Sequence, residues 1–142
     1  MRIALLCMLG LLCIGCPQRH VTRTVVLAGL TGDAQNSGTV SVNNPDVRSA
    51  LKIIGGVLAS HGFVQTENTN LTVYGSVVTY TKYTPEGYPT IFPSIAVRIK
   101  GDALEFSVAD RPHLTLEDKR ILKAVRTELR SHYGTERVKT RH

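Results

Sequence analysis

The residues best equipped for chemistry are three cysteines, Cys7, Cys13 and Cys16, and all of them fall in the first sixteen positions of the 142-residue chain. Cys13-Ile14-Gly15-Cys16 is a C-x-x-C pair, the spacing used by metal knuckles and redox motifs. A structural zinc site needs four ligands. No second cysteine pair follows, and the histidines at 20, 61, 113, 132 and 142 have neither i,i+4 nor H-x₃₋₅-H spacing. A thioredoxin-type pair follows a strand and opens a helix inside a folded domain. Here the pair ends an apolar run at the start of the chain, and a disulfide has no cysteine partner in the body. The expectation is therefore no metal site and no cofactor.

The rest of the chain is poor in catalytic groupings. No serine sits in a G-x-S-x-G elbow. Gly29-Leu30-Thr31-Gly32 follows a run with strand character but lacks a phosphate-cradling pattern. Asp33, Asp46, Asp102 and Asp110 occupy turn, helix-start, hairpin and loop positions, and Glu105 alternates outward on a strand. His113, in Asp110-Arg111-Pro112-His113, has the chemistry of a general base, but a single loop histidine is more often just a solvated side chain. A nucleophile, a base and an orienting group are not found together. The chain is not expected to be an enzyme.

The apolar run Ile3–Gly15 is 13 residues long. A membrane span needs about 20, and extension meets Pro17, Gln18, Arg19 and His20. A basic start (Arg2), a short apolar core and a small residue at its end have the form of a signal peptide. Leu12-Cys13-Ile14-Gly15-Cys16 resembles the lipobox of bacterial lipoproteins, with Gly15 before the cleavage point and Cys13 where leucine is usual. The resemblance covers residues 1–16. It implies that 1–15 are removed and that Cys16 becomes the acylated first residue, anchoring the chain to a membrane. Pro17, rather than aspartate, follows the cysteine. By the same resemblance this implies the outer membrane, facing the periplasm, in a Gram-negative cell. An ordinary secretory signal with incidental cysteines is the alternative.

Two further features suit binding. The connection Thr84–Pro93 contains three prolines together with Tyr88, Ile91 and Phe92. These apolar residues either meet a protein partner or membrane surface, or close the open end of the core. Lys119, Lys123, Arg126 and Arg130 are spaced to form one ridge on a helix. The ridge is either a solvated face or a surface for anionic lipid. Charge follows the same division. Residues 16–110 carry seven basic and seven acidic side chains, whereas residues 111–142 carry nine and four. Nucleic acid is not an expected partner of an exported chain.

The elements that would position these residues follow from local signals. Thr24–Leu30 reads as a buried strand. Asn44-Pro45 caps a helix with Val47, Ala50, Leu51, Ile54 and Leu58 on its apolar stripe; Gly62 stops it and Phe63 packs back on its last turn. Gly55-Gly56 within it suggests close approach to a sheet. Leu71–Tyr83 reads as one strand, with Tyr74, Val78 and Tyr80 on one face. Ile95, Val97 and Ile99 form a hairpin with Leu104, Phe106 and Val108 across Gly101-Asp102. Thr115 and Asp118 open a last helix, with Ile121, Leu122, Val125 and Leu129 inward and Gly134 at its end.

The expected division is a signal peptide over 1–15, a tether over 16–23, one domain over 24–134 and a frayed basic tail over 135–142. The order β-α-β-β-β-α implies an α+β two-layer sandwich, a mostly antiparallel sheet with two helices on one face. That element order, with the anchor, is similar to the lipopolysaccharide-assembly lipoproteins that sit inside an outer-membrane barrel. The functional expectation is a lipid-anchored envelope accessory protein that binds a protein partner, with a lipid- or glycolipid-binding module as the alternative and a small periplasmic enzyme third.

Overall fold

The computed structural model describes residues 21–30, 43–66, 71–72, 75–90, 94–110 and 113–141. The expected signal peptide, Cys16, Asp33, Tyr74, Ile91 and Phe92 lie outside the described residues.

Strand β1 is Val21–Leu27, three residues earlier at each end than the apolar run suggests. Thr22 and Arg23 pair with Ala109 and Val108 of a neighbouring strand, so they belong to the sheet rather than to a tether. Beyond Leu27 the Ala28 N–H is taken by the Arg137 carbonyl, and Gly29 turns the chain away at a positive φ of 69°.

Helix α1, Pro45–Ser60, starts at the expected cap. The Asn44 side-chain oxygen accepts from the N–H groups of Asp46 at 2.8 Å and Val47 at 3.4 Å, satisfying donors that a helix start leaves open. Val47, Ala50, Ile54 and Leu58 are fully buried, while Leu51 is only partly so. The paired glycines have no common packing cause. A Cβ on Gly55 would meet the Tyr80 hydroxyl at an ordinary 3.8 Å, and one on Gly56 would meet nothing within 4 Å. Gly56→Ala is therefore expected to stabilise the protein by about 1 kcal/mol, the helix-propensity difference alone. A lowered denaturant midpoint for this variant would show that Gly56 is needed for something other than the helix.

The sheet continues with β2 (Phe63–Thr66), β3 (Leu71–Thr72) and β4 (Gly75–Lys82). The single strand expected over 71–83 is two, since Leu71 pairs with Ser76 and Thr72 with Gly75. Strands β5 (Ser94–Lys100) and β6 (Ala103–Asp110) form the expected hairpin, closed at Lys100 and Ala103. Helix α2, Leu116–Tyr133, opens on a complete capping box. The Asp118 N–H donates to Thr115 Oγ1, and Asp118 Oδ2 accepts from the Thr115 N–H and hydroxyl, each at 2.7 Å. Gly134 caps its end at a φ of 89°, where a side chain would run into Glu136.

The C-terminal segment is not a frayed tail. Val138–Arg141 forms β7, antiparallel to β1, and Val138 is fully buried opposite Leu27. One apolar side chain placed on the inner face, with three polar ones around it, suffices at a sheet edge.

All described strand pairs are antiparallel, in the order β2-β4-β5-β6-β1-β7, with β3 on β4. Inward rows run across the sheet: Val78, Val97, Phe106 and Val25 in one, Ile99, Leu104, Leu27 and Val138 in the next. They share one apolar core with Val47, Ile54, Leu58, Ile121, Val125 and Leu129, so both helices cover the same face. This is the α+β two-layer architecture, with short strands added at both edges.

The register also defines two ends. At the entry end β1 begins, β6 and β4 finish, β5 and β2 begin, and α2 starts. The opposite end carries the Gly101-Asp102 turn, the start of α1 and the end of α2, where the Tyr133 hydroxyl donates to the Asp46 carbonyl.

Candidate functional site

Ridge residues Lys119 and Lys123 are exposed, while Arg126 and Arg130 are half-buried. The reason for Arg130 is specific. Its Nε and Nη2 donate to the Val138 carbonyl at 3.3 and 3.2 Å, so it clamps β7 against α2. The ridge is thus split: its first half points to solvent near the entry end, and its last residue holds the sheet edge. Arg137 plays a similar part. It donates to the carbonyls of Ala28 and Gly29 at 3.1 and 2.6 Å, lies over the Tyr133 ring, and stands 4.0 Å from Asp46. Two of the nine basic residues of the C-terminal segment, Arg130 and Arg137, therefore join β7 and its approach to the fold.

The proline-rich connection is more ordered than a long link suggests. The Thr84 N–H donates to the Tyr88 carbonyl and the Gly87 N–H to the Thr84 carbonyl, while Thr90 returns both its N–H and hydroxyl to the Lys82 carbonyl. Tyr83 bridges to Pro89. This closed turn carries Tyr88 outward, 70% exposed, with Tyr83 at 48%. Beside it, Lys82 reaches Glu117 at 3.0 Å and its Nζ stands 5.6 Å from the centre of the Phe63 ring. That ion pair is half-exposed and contributes less than about 1 kcal/mol; it marks where the start of α2 meets the end of β4. Leu116, the first residue of α2, is 65% exposed. Sequence periodicity passes over Leu116 and Tyr83, because only the folded arrangement shows that they share an end with Tyr88.

Polar groups elsewhere serve the fold. Asn44 and Asp118, both buried, are helix caps. Burial pushes the Tyr80 hydroxyl pKa up, and among the described residues its oxygen has no hydrogen-bond partner. Burial and the nearby Asp46 carboxylate raise Tyr133, against the opposing Arg137. A hydrogen bond from Thr84 lowers Glu86 on the exposed turn. These three groups lie apart and do not form an acid–base pair. His113 is exposed before α2. Among the described residues no cluster of three potential metal ligands occurs, and no helix is long and apolar enough to cross a membrane.

Family models, curated proteins and solved structures offer no match to this chain. The exposed large apolar side chains among the described residues are Val64, Tyr83, Tyr88 and Leu116. Val64 is the second residue of β2, opposite Thr81, so it too lies toward the entry end. The opposite end presents Asp102, Arg137 and Asp46 instead.

Proposed function

We propose that this chain is a lipid-anchored accessory protein of the bacterial cell envelope that acts by binding a protein partner rather than by catalysis. The observation that supports it best is the distance between the candidate lipid attachment point and the fold. Only four residues separate Cys16 from the first strand residue, Val21. Five extended residues span at most about 17 Å, so acyl chains on Cys16 would hold the domain against the membrane instead of letting it roam. Among the described residues, the buried polar side chains Asn44 and Asp118 serve the helix starts.

The lipid- or glycolipid-carrier reading draws less support. The layer between helices and sheet, where an acyl chain would have to lie, is occupied by fully buried side chains that include Phe106, Leu27, Ile54 and Leu129. The outer membrane, facing the periplasm, remains the proposed address, on the strength of Pro17 after the cysteine.

The test is recovery of the full chain from membranes in mild detergent after crosslinking. One discrete partner at fixed stoichiometry, lost when Cys16→Ser releases the anchor, is the expected result. A chain recovered alone, carrying tightly bound lipid, would favour the carrier reading instead.

A further inference from the structure

We propose that the entry end of the domain rests on the lipid surface, with Tyr83, Tyr88 and Leu116 in the headgroup region and Lys119 and Lys123 beside it. The occupant is the phospholipid bilayer that holds the anchor, and the inference rests on the lipidation of Cys16 proposed above.

Three observations carry it. The first is the tether: the chain enters the sheet at Val21, five residues after Cys16, so this end lies within about 17 Å of the attachment point. The seven residues of β1 separate it from the opposite end by about 23 Å. The tether therefore selects which end meets the membrane.

The second is the distribution of apolar surface. The exposed large apolar residues among the described ones, Tyr83, Tyr88 and Leu116 together with Val64, all lie toward this end: Tyr83 and Tyr88 at the closed turn after β4, and Leu116 at the start of α2, which Lys82 and Glu117 join to the end of β4. Tyrosine suits a membrane interface, because its ring enters the apolar boundary while its hydroxyl stays with water. Leu116, at the first position of α2, is left largely exposed by the described fold.

The third is charge. Lys119 and Lys123 stand on the exposed face of α2, about one and two turns in from Leu116. A basic pair at that depth faces anionic headgroups once the tip is seated. Arg126 and Arg130 are too far along the helix to join them, and Arg130 is engaged with Val138.

The experiment uses the full lipidated chain, reconstituted in vesicles of phosphatidylethanolamine and phosphatidylglycerol. After processing removes Cys7 and Cys13 and acylates Cys16, an introduced cysteine is the sole free thiol. Tyr88→Cys and Leu116→Cys report on the entry end, and Asp102→Cys on the opposite end, each carrying an environment-sensitive fluorophore. All three positions are exposed, so the fold should tolerate them, which circular dichroism checks.

The expected result is that fluorophores at 88 and 116 shift to the blue, lose much of their emission to brominated lipid and resist aqueous iodide. The one at 102 should show the opposite on all three counts. Equal iodide quenching at all three positions, in protein that carries the acyl label, overturns this inference and leaves the anchor standing. Shielding at 88 and 116 without bromolipid quenching overturns it too, by showing a protein surface there. Protein without an acyl label removes both the anchor and the orientation built on it.

Discussion

A chain ended at Gly134 is expected to unfold at a markedly lower denaturant concentration than the full chain, or not to fold at all. The truncation removes β7 and everything that attaches to it. Val138 is fully buried against Leu27, and its burial is worth about 2 kcal/mol. The ladder between β1 and β7 goes, and so do the bonds from Arg137 to Ala28 and Gly29 and from Ala28 to the Arg137 carbonyl. Arg130 loses the Val138 carbonyl and keeps a half-buried guanidinium without that acceptor. At about 1 kcal/mol net for each such bond, the total loss is several kcal/mol. Domains of this kind are stable by only about 5–15 kcal/mol. Lys139→Ala, which changes an exposed side chain on the same strand, should stay within about 0.5 kcal/mol of the full chain. Equal midpoints for the truncated and full chains would show that residues 135–142 are the loose tail their composition suggests.

The contrast between that composition and the strand explains what is readable in such a sequence. Both helices are legible because their signals are local: Asn44-Pro45 and Thr115 with Asp118 at the starts, Gly62 and Gly134 at the ends, and apolar residues at helical spacing between. The β5–β6 hairpin is legible for the same reason, since its turn and its alternation are adjacent in the chain. The two strands that escape notice, β2 and β7, are the two edges of the sheet. Each is four residues long and buries one apolar side chain, Phe63 or Val138. Short, polar edges guard a sheet against pairing with other chains, and the same property hides them from periodicity. Their strand character comes from β4 and β1, which supply the partners.

The candidate site divides along the same line. Tyr88 is recognisable from its proline-rich surroundings. The ridge of Lys119, Lys123, Arg126 and Arg130 is recognisable from spacing, but spacing cannot show that Arg130 has an acceptor on a strand formed eight residues later. Tyr83 reads as a face of β4 and Leu116 as part of a helix start. That they lie at one end follows only from the fold, in which the end of β4 meets the start of α2 at Lys82 and Glu117. The end of the domain is a property of topology, assembled from residues 64, 83, 88 and 116, which no short window of sequence contains.

Cys16→Ser is expected to abolish incorporation of a fatty-acid analogue and to move the chain from the membrane fraction to the soluble one, or to leave it as an unprocessed precursor. The size of the effect follows from what remains. Acyl chains contribute roughly 0.8 kcal/mol per buried methylene, and two or more chains make membrane attachment stable. Tyr88 and Leu116 would each add at most about 1.5–3 kcal/mol even if fully buried, and they can only be partly so. Basic residues near the surface add about 1 kcal/mol each at low salt, an attraction that falls off within about 8–10 Å in physiological salt. On the proposed reading the entry end would orient a tethered domain but would not replace the tether. Cys13→Ser provides the control: by the lipobox resemblance it stands on the side of the cleavage point that is discarded, so the label should survive. Label retained in Cys16→Ser would remove the anchor from Cys16 and with it the proposed function and orientation. Label lost only in Cys13→Ser would move the attachment point three residues upstream, lengthening the tether to Val21 by about 10 Å and loosening the hold on the entry end.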